Sequence, residues 1–189
     1  YLGVVHRLDQ PVEGIVVFAR NKKAAADLSA QLTDGRMKKE YLAVCCGVKA
    51  GENGQNWISL ENWLLKDART NQSRIVPEKT REAKASRLDY CIENSREADG
   101  NRYLLVRIRL HTGRHHQIRV QMAGAGLPLY GDRKYNPCWE EKRTAFLDGE
   151  SGKCPLALCA CRLTLIHPGT GKEMTFHVEP AFAREELWT

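Results

Sequence analysis

The segment RYLLVRIRL, residues 102–110, constrains the fold of this chain more than any other stretch. In an extended strand, alternate side chains point to opposite faces of the sheet. From Leu104 to Leu110, one face of this segment therefore carries apolar residues only: Leu104, Val106, Ile108 and Leu110. The other face carries Leu105, Arg107 and Arg109. The pattern predicts a strand with a core side and a basic side.

Other short runs of branched and apolar residues, bounded by glycines or charged residues, also predict strands. The predicted strands are 4–5, 15–19, 41–46, 57–65, 84–92, 102–110, 156–166 and 174–178. Asp99-Gly100 lies in the connection 94–101 and predicts a hairpin, and HPGTGK predicts a second hairpin near the end of the chain. The polar, turn-rich segments 51–57 and 66–82 are predicted to be loops, and the second is basic enough to lie along a polyanion.

One helix is predicted early in the chain and another after residue 110. In the first, Asn21 is the N-cap, Ala25, Leu28 and Leu32 recur at helical spacing, and Gly35 ends the helix. The second lies in HTGRHHQIRVQMAGAG, where Thr112 is the predicted cap. Arg114 near its start could hold a phosphate with free backbone amides, although a solvated basic surface is the plainer interpretation.

Asp9 lies in the connection between the first two predicted strands, in the segment GVVHRLDQPVEG. Pro11 fixes one backbone dihedral and Gly14 relaxes the exit, so this connection is predicted to be stiff. A carboxylate held on a stiff loop is a good candidate for a catalytic group. It equally suits a structural role, in which Asp9 caps the turn or pairs with Arg7.

Composition narrows the class of protein. The net charge is +6 and the pI about 9.0, for which a polyanion is the simplest partner. Seven cysteines, an odd number, with no zinc-binding spacing predict a reduced, cytoplasmic protein.

The sequence also argues against several kinds of site. The histidines at 111, 115 and 116 have no carboxylate or thiol at a ligand spacing, so no metal is predicted at His111, His115 and His116. No run of residues is long and apolar enough to cross a membrane, and no glycine-rich phosphate loop accompanies HRLD, which excludes a kinase.

Four motifs occur together in this chain: HRLDQPVEG, KKEYLAVCCG, LHTGRHHQIRVQMAGAGLPLYGDRKY and LCACRLTLIHPGTGKEMTF. In order and spacing they resemble the RluA family of pseudouridine synthases over nearly the whole chain. The resemblance implies an α+β fold with a mixed, largely antiparallel sheet, flanking helices and loops, and a central active-site cleft. It implies that residues 1–189 form the catalytic domain, with the N-terminal Lys-Pro segment of the family missing because Tyr1 lies close to HRLD.

The resemblance also implies a function: isomerisation of uridine to pseudouridine in ribosomal or transfer RNA, without a metal or organic cofactor, by a monomer. Asp9 matches the nucleophile of the family, which can form and release an ester. Arg119 matches its partner, and a contact at about 4 Å would be worth about 4 kcal/mol at an effective dielectric near 20. Tyr41 matches the tyrosine that stacks on the flipped base, and Arg7 the residue that enters the vacated space. The remaining predicted RNA-binding residues are His6, Arg109, Arg114, His116, Gln117 and Ile118, of which Arg109 and Arg114 are our own inference.

The chain departs from the family pattern at Val12-Glu13, where Thr-Ser is common, and at Cys159, where His is common. Two other functions stay open at this stage. One is a non-catalytic RNA-binding module that keeps the surface of the fold. The other is a glycosidase with Asp9 and Glu13 as its pair of carboxylates, which would require the carboxyl groups to lie about 5 to 10 Å apart.

Overall fold

The computed structural model describes residues 1–47, 54–148 and 155–189. In these ranges the chain forms an eight-stranded sheet and a small two-stranded sheet. The strands are β1 (Gly3–Val4), β2 (Glu13–Gly14), β3 (Phe18–Ala19), β4 (Lys38–Cys46), β5 (Gly54–Asp67), β6 (Gln72–Val76), β7 (Lys84–Ala98), β8 (Asn101–Leu110), β9 (Leu158–Ile166) and β10 (Glu173–His177). The helices are α1 (Lys22–Thr33), α2 (Gln117–Gly124) and the short α3 (Ala145–Asp148), followed by 3-10 turns at Ala181–Ala183 and Glu185–Leu187.

The large sheet runs in the order β10-β9-β4-β8-β7-β5-β6, and each of these pairs is antiparallel. β2 joins β9 in parallel, and β1 and β3 form the small antiparallel sheet. The prediction of an α+β fold with a mixed, largely antiparallel sheet is confirmed. Within the described ranges, no helix has the length and apolar character needed to cross a membrane.

The hairpin of β7 and β8 forms as predicted, with a tighter turn. β7 continues to Ala98, so the connection shrinks to Asp99 and Gly100, which have φ of 51° and 70°. Both residues tolerate this left-handed conformation, which a two-residue hairpin requires. The apolar side of β8 lies in the main core, as expected, while Tyr103 and Leu105 on the other side are buried in a second cluster. The basic side is therefore restricted to the end of β8 that carries Arg107 and Arg109.

Three apolar clusters hold the elements together. α2 packs Ile118 and Met122 onto one face of the sheet, in the same cluster as Tyr41 on β4. On the opposite face, Tyr103 meets the rings of Tyr130 and Phe146 edge-on, at 6.0 and 5.3 Å between centroids. α1 covers β9 in the third cluster. Burying each large apolar side chain contributes roughly 1.5–3 kcal/mol, so α2 is fixed against the strands that carry the site.

α1 begins and ends where the sequence predicts. The side chain of Asn21 accepts a hydrogen bond from the backbone N–H of Ala24 at 2.8 Å. Past the last helical residue, Gly35 has φ of 79°, the left-handed conformation that ends many helices.

The predicted loop over 66–82 is wrong in part, because β6 lies inside it. Its polar composition hides an edge strand in which only Ser73 and Val76 are buried, and pairing with β5 determines the structure. The loop over 51–57 is also wrong at its end, since β5 begins at Gly54, while residues 51–53 lie outside the described residues.

The prediction that Thr112 caps α2 is also wrong. The hydroxyl of Thr112 instead accepts from Arg87 N and donates to the side chain of Gln117, and the helix begins after His116 in a left-handed conformation.

Gly14 fixes the Asp9 loop to the main sheet. It pairs with Ala160 in β9 and has φ of 125°. A Cβ at this position would lie only 2.5 Å from the carbonyl oxygen of Ala160, which is too close.

We expect Gly14→Ala to lower the free energy of unfolding by about 2–3 kcal/mol, because it combines backbone strain with a steric clash. Urea unfolding measures this. Gly35→Ala is the matched control: it also has positive φ but meets nothing within 4 Å, so it should cost about 1 kcal/mol. Equal losses in the two variants would contradict the close approach at Gly14.

Candidate active site

One cavity of about 1070 Å³ gathers every site residue that the sequence predicts. The cavity lies between the Asp9 loop, the start of β4, the end of β8 and the segment that leads into α2. Its lining includes His6, Arg7, Asp9, Tyr41, Arg109, Arg114, His116, Gln117, Ile118 and Arg119. The fold thus brings together side chains that are more than a hundred residues apart in sequence.

Asp9 is half-buried on a turn between β1 and β2. Its carbonyl oxygen accepts from the backbone N–H of Val12 at 2.7 Å, and the Gln10–Pro11 peptide bond is cis. Among the described residues, the carboxylate of Asp9 neither caps this turn nor forms an ion pair with the exposed Arg7. The two structural roles considered for Asp9 are therefore absent from this part of the chain, and its side chain lines the cavity.

Arg119 makes a buried, two-point ion pair with Asp132. Its Nε donates to Asp132 Oδ2 at 2.8 Å and its Nη2 donates to Oδ1 at 2.6 Å. The two side chains are only 6% and 0% exposed. The same carboxylate accepts from the backbone N–H groups of Lys134 and Tyr135. Asp132 therefore fixes the guanidinium of Arg119 against the turn that follows Gly131.

The expected 4 Å contact between Asp9 and Arg119 does not occur among the described ion pairs; Asp132 instead binds the edge of the guanidinium formed by Nε and Nη2. Arg119 and Asp9 nonetheless line the same cavity. Burial acts to lower the pKa of Arg119, but Asp132 outweighs it and the net pKa is raised, with Tyr135 and Asp9 acting in the same direction. Arg119 is thus a permanent positive charge in the lining of the cavity, without a direct ion pair to Asp9 among the described residues.

Tyr41 lies on β4, where it packs in the main core and also lines the cavity. Burial raises the pKa of Tyr41 to about 12, and the nearby Asp9 carboxylate acts in the same direction. Its phenol is therefore neutral at physiological pH. A flat, neutral ring on the cavity wall suits stacking against a nucleobase.

His116 forms a hydrogen bond with Tyr135. The hydroxyl of Tyr135 accepts from the backbone N–H of Ser73 at 2.7 Å, and it lies 2.8 Å from His116 Nδ1. The ring also stacks on His115, at 3.8 Å between centroids. Burial and then the charge of Arg119 lower the pKa of His116 to about 4.

The lowered pKa of His116 predicts a loss of stability in mild acid. An unfolded histidine binds a proton near pH 6.5, while folded His116 binds one only near pH 4, so the unfolded state carries more protons between these values. Stability should fall as the pH drops through this window, by at most about 1 kcal/mol per pH unit after solvent screening. Urea unfolding at pH 7 and pH 5 measures the loss, which should be smaller in His116→Gln. An equal pH dependence in both proteins would contradict the neutral state of His116.

The remaining predicted residues differ in how many of their hydrogen-bonding groups are already used by contacts within the protein. Arg109 stacks on Trp57, with 3.8 Å from its Cζ to the ring centroid, and its Nε contacts Glu40 at 3.4 Å. Arg114 donates from Nε to the carbonyl of Ala85 at 2.9 Å. Both keep further N–H groups for a ligand.

Gln117 and His6 are more fully engaged by the protein. The side-chain amide of Gln117 bonds Thr112, Arg114, Arg87 and Gln121, so it holds the loop before α2 together. The Nε2 of His6 accepts from the backbone N–H of Val17 at 3.3 Å, which requires a neutral ring. Burial and then the charge of Lys39 lower the pKa of His6, consistent with that state.

Sequence reasoning did not assign roles to Asp132, Tyr135 and Ser73. A signal for a partner of Arg119 was present: Arg119 lies between the apolar residues Ile118 and Val120 on the second predicted helix, and a charge that becomes buried needs a partner. No local signal links Ser73 to the site, because it lies in the segment interpreted as a loop.

Glu13 does not line the cavity, although Asp9 does. The second carboxylate that a glycosidase would need there is therefore not supplied by Glu13. Among the residues that the structure describes, no cluster of three or more histidine, cysteine, aspartate or glutamate side chains could hold a metal ion. The described cysteines are free, and all but Cys138 are buried.

Solved structures share this fold. The human RNA pseudouridylate synthase domain containing 1 protein matches with a TM-score of 0.76 at 22% identity, over 95% of this chain and 69% of that one. The human domain containing 4 protein matches with a TM-score of 0.71, also at 22% identity, over 96% of this chain and 72% of that one. At this identity the likeness establishes the fold.

The family follows from sequence comparison. Residues 1–124 match the family model for RNA pseudouridylate synthases. Over 90% of its length the chain is 31% identical to tRNA pseudouridine synthase C of Pasteurella multocida, covering 70% of that protein. It is 34% identical to the ribosomal large subunit pseudouridine synthase C of Escherichia coli K12, and 32% identical to the uncharacterized RNA pseudouridine synthase YlyB of Bacillus subtilis. Each alignment covers 92% of this chain, which spans only about half of those two relatives, 51% and 50%. This chain belongs to the RNA pseudouridylate synthase family, and the predicted resemblance to the RluA family is confirmed.

Proposed function

We propose that this chain isomerises uridine to pseudouridine in RNA, with Asp9 as the nucleophile. The observation that carries the proposal is the single cavity lined by Asp9, Tyr41 and Arg119, in a chain that belongs to this family. In the reaction the bond from N1 of uracil to the ribose breaks, a bond from C5 to the ribose forms, the hydrogen on C5 leaves as a proton, and N1 takes up a proton. No electrons are gained or lost, so the reaction requires no redox cofactor.

Each of the three side chains has a state that suits its role. Asp9 is half-buried, free of an ion pair with Arg7 and open to the cavity. Arg119 supplies a fixed positive charge that stabilises negative charge when RNA excludes water from the site. Tyr41, as a neutral phenol, stacks on the uracil ring while it turns.

Uridine reaches Asp9 only after leaving the stack of a structured RNA. Arg7 is exposed at the cavity mouth, two residues before the nucleophile, and so is placed to enter the space that the base vacates. Ile118 and the N–H groups of Arg109, Arg114 and His116 then surround the flipped nucleotide. The net charge of +6 favours association with an RNA backbone.

Two relatives carry names that specify ribosomal and transfer RNA, and we propose one of these as the substrate. We further propose that the enzyme acts as a monomer in the cytoplasm, where its free cysteines stay reduced.

Mapping of pseudouridines in ribosomal and transfer RNA tests the proposal. Cells that lack the gene should lose specific modified sites, and expression of the wild-type chain should restore them. The Asp9→Asn variant should not restore them. If the maps are identical with and without the gene, the chain is an RNA-binding module without turnover.

A further inference from the structure

Lys39 is a cavity residue for which the mechanism above has no use. It lies two residues before Tyr41 on β4, and alternate residues of a strand share a face. Its side chain is partly buried and lines the same cavity. Lys38, its neighbour, is exposed.

Of the cations that line this cavity, only Arg119 and Lys39 are withdrawn from solvent in the described part of the chain. Arg119 is paired with Asp132. Lys39, by contrast, has neither a carboxylate within 4.0 Å nor a hydrogen-bond partner in the ranges 1–47, 54–148 and 155–189. Burial lowers the pKa of Lys39. A cation withdrawn from water without a partner is costly, and such groups are often kept for a ligand.

Lys39 lies beside the segment that leads into α2, in a cavity that the end of α1 also lines. A Cβ on Gly113 would lie 3.7 Å from Lys39 Nζ, so the ammonium rests against the backbone that leads into α2. After burial, the positive charge of Lys39 is the second cause that lowers the pKa of His6. Leu32 and Met37 are apolar residues in the lining of the same cavity.

Lys39 and Asp9 line the cavity from different elements, β4 and the loop between β1 and β2. A ligand with its reacting sugar at Asp9 would therefore present a different part of itself to Lys39. For a nucleotide within RNA, the anionic part next to the sugar is the phosphodiester.

We propose that Lys39 binds a phosphate group of the RNA backbone directly next to the uridine held in the cavity. The proposal rests on the proposed function for the identity of the ligand. An ammonium on a flexible stem binds phosphate as a point charge, and Gly113 leaves space for the phosphate oxygens because it has no side chain.

Two small ligands test this without requiring turnover: uridine, and uridine 3′,5′-bisphosphate, which carries both flanking phosphates. We expect the wild-type chain to bind the bisphosphate at least about tenfold more tightly than Lys39→Met does, while uridine binds both equally. Lys39→Arg should keep part of the preference. Lys172→Met removes an exposed lysine on the β9–β10 turn and should behave like wild type. Titration followed by NMR measures each affinity.

Thermal unfolding provides a second readout. Lys39→Met should have an unchanged or higher Tm, because it removes a partly buried charge that has no partner in the protein. A large drop in Tm would assign Lys39 a structural role and overturn the proposal. Equal affinity of wild type and Lys39→Met for the bisphosphate would also overturn it. If Lys39 discriminates between the two ligands but the wild type makes no pseudouridine, the proposed function fails while the phosphate site stands.

Discussion

Asp132→Ala is expected to lower the free energy of unfolding by about 3–5 kcal/mol, a large share of the stability of a domain of this size. The substitution leaves the guanidinium of Arg119 buried without its two-point partner, and it also removes the acceptor for the backbone N–H groups of Lys134 and Tyr135. Urea unfolding at pH 7 measures the loss.

A second substitution separates two costs of Asp132→Ala: the buried charge of Arg119 without a partner, and the lost hydrogen bonds to the backbone of the turn. In the double variant Asp132→Ala/Arg119→Met, the unpaired cation is gone, so we expect a part of the lost stability to return. The double variant also keeps the test usable if Asp132→Ala does not fold. If the double variant is as unstable as Asp132→Ala, or more so, the cost does not come from the buried charge of Arg119.

Asp9→Asn should lower turnover by at least about a thousandfold, because an amide cannot serve as the nucleophile. The two side chains have nearly the same shape, and the turn around Asp9 is held by its backbone carbonyl, which the substitution does not touch. Stability should therefore change by less than about 0.5 kcal/mol. Binding of RNA should be retained. Initial rates and equilibrium binding on the same RNA separate these effects.

Glu13→Gln is the matched control for Asp9→Asn. Glu13 is a carboxylate in the same connection, but it is exposed and does not line the cavity. We expect its turnover to stay within about twofold of wild type. A loss as large as that of Asp9→Asn would make Glu13 a functional carboxylate and revive the two-carboxylate interpretation.

Alternation and turn chemistry allowed much of the fold to be predicted, because these signals are local. Asp99-Gly100 marks the β7–β8 turn, and Asn21 and Gly35 mark the ends of α1. The signals fail where pairing with a distant segment decides the structure. β6 has the composition of a loop, and hydrogen bonds to β5 hold it as an edge strand. Thr112 has the character of a cap, but the side chain of Gln117 and the backbone of Arg87 engage its hydroxyl.

The candidate site shows the same division. Motif resemblance pointed to Asp9, Tyr41 and Arg119, and the fold brings all three to one cavity. The arrangement of charges within the cavity could not be predicted. A resemblance assigns roles to residues, but it does not show which groups the guanidinium of Arg119 contacts. The partner of Arg119 is Asp132, thirteen residues further along the chain and completely buried. The phosphate site proposed at Lys39 likewise depends on the absence of a partner among the described residues, which only coordinates reveal.

Release of tritium from RNA labelled at C5 of uridine tests the central claim most directly, because that hydrogen leaves only if the base is rejoined through C5. Ribosomal and transfer RNA transcripts are incubated separately with the purified wild-type chain and with Asp9→Asn. We predict release from at least one transcript by wild type and none above background by the variant. Equal release by both proteins, or none by a folded wild-type chain that binds the RNA, would contradict a catalytic cavity built around Asp9.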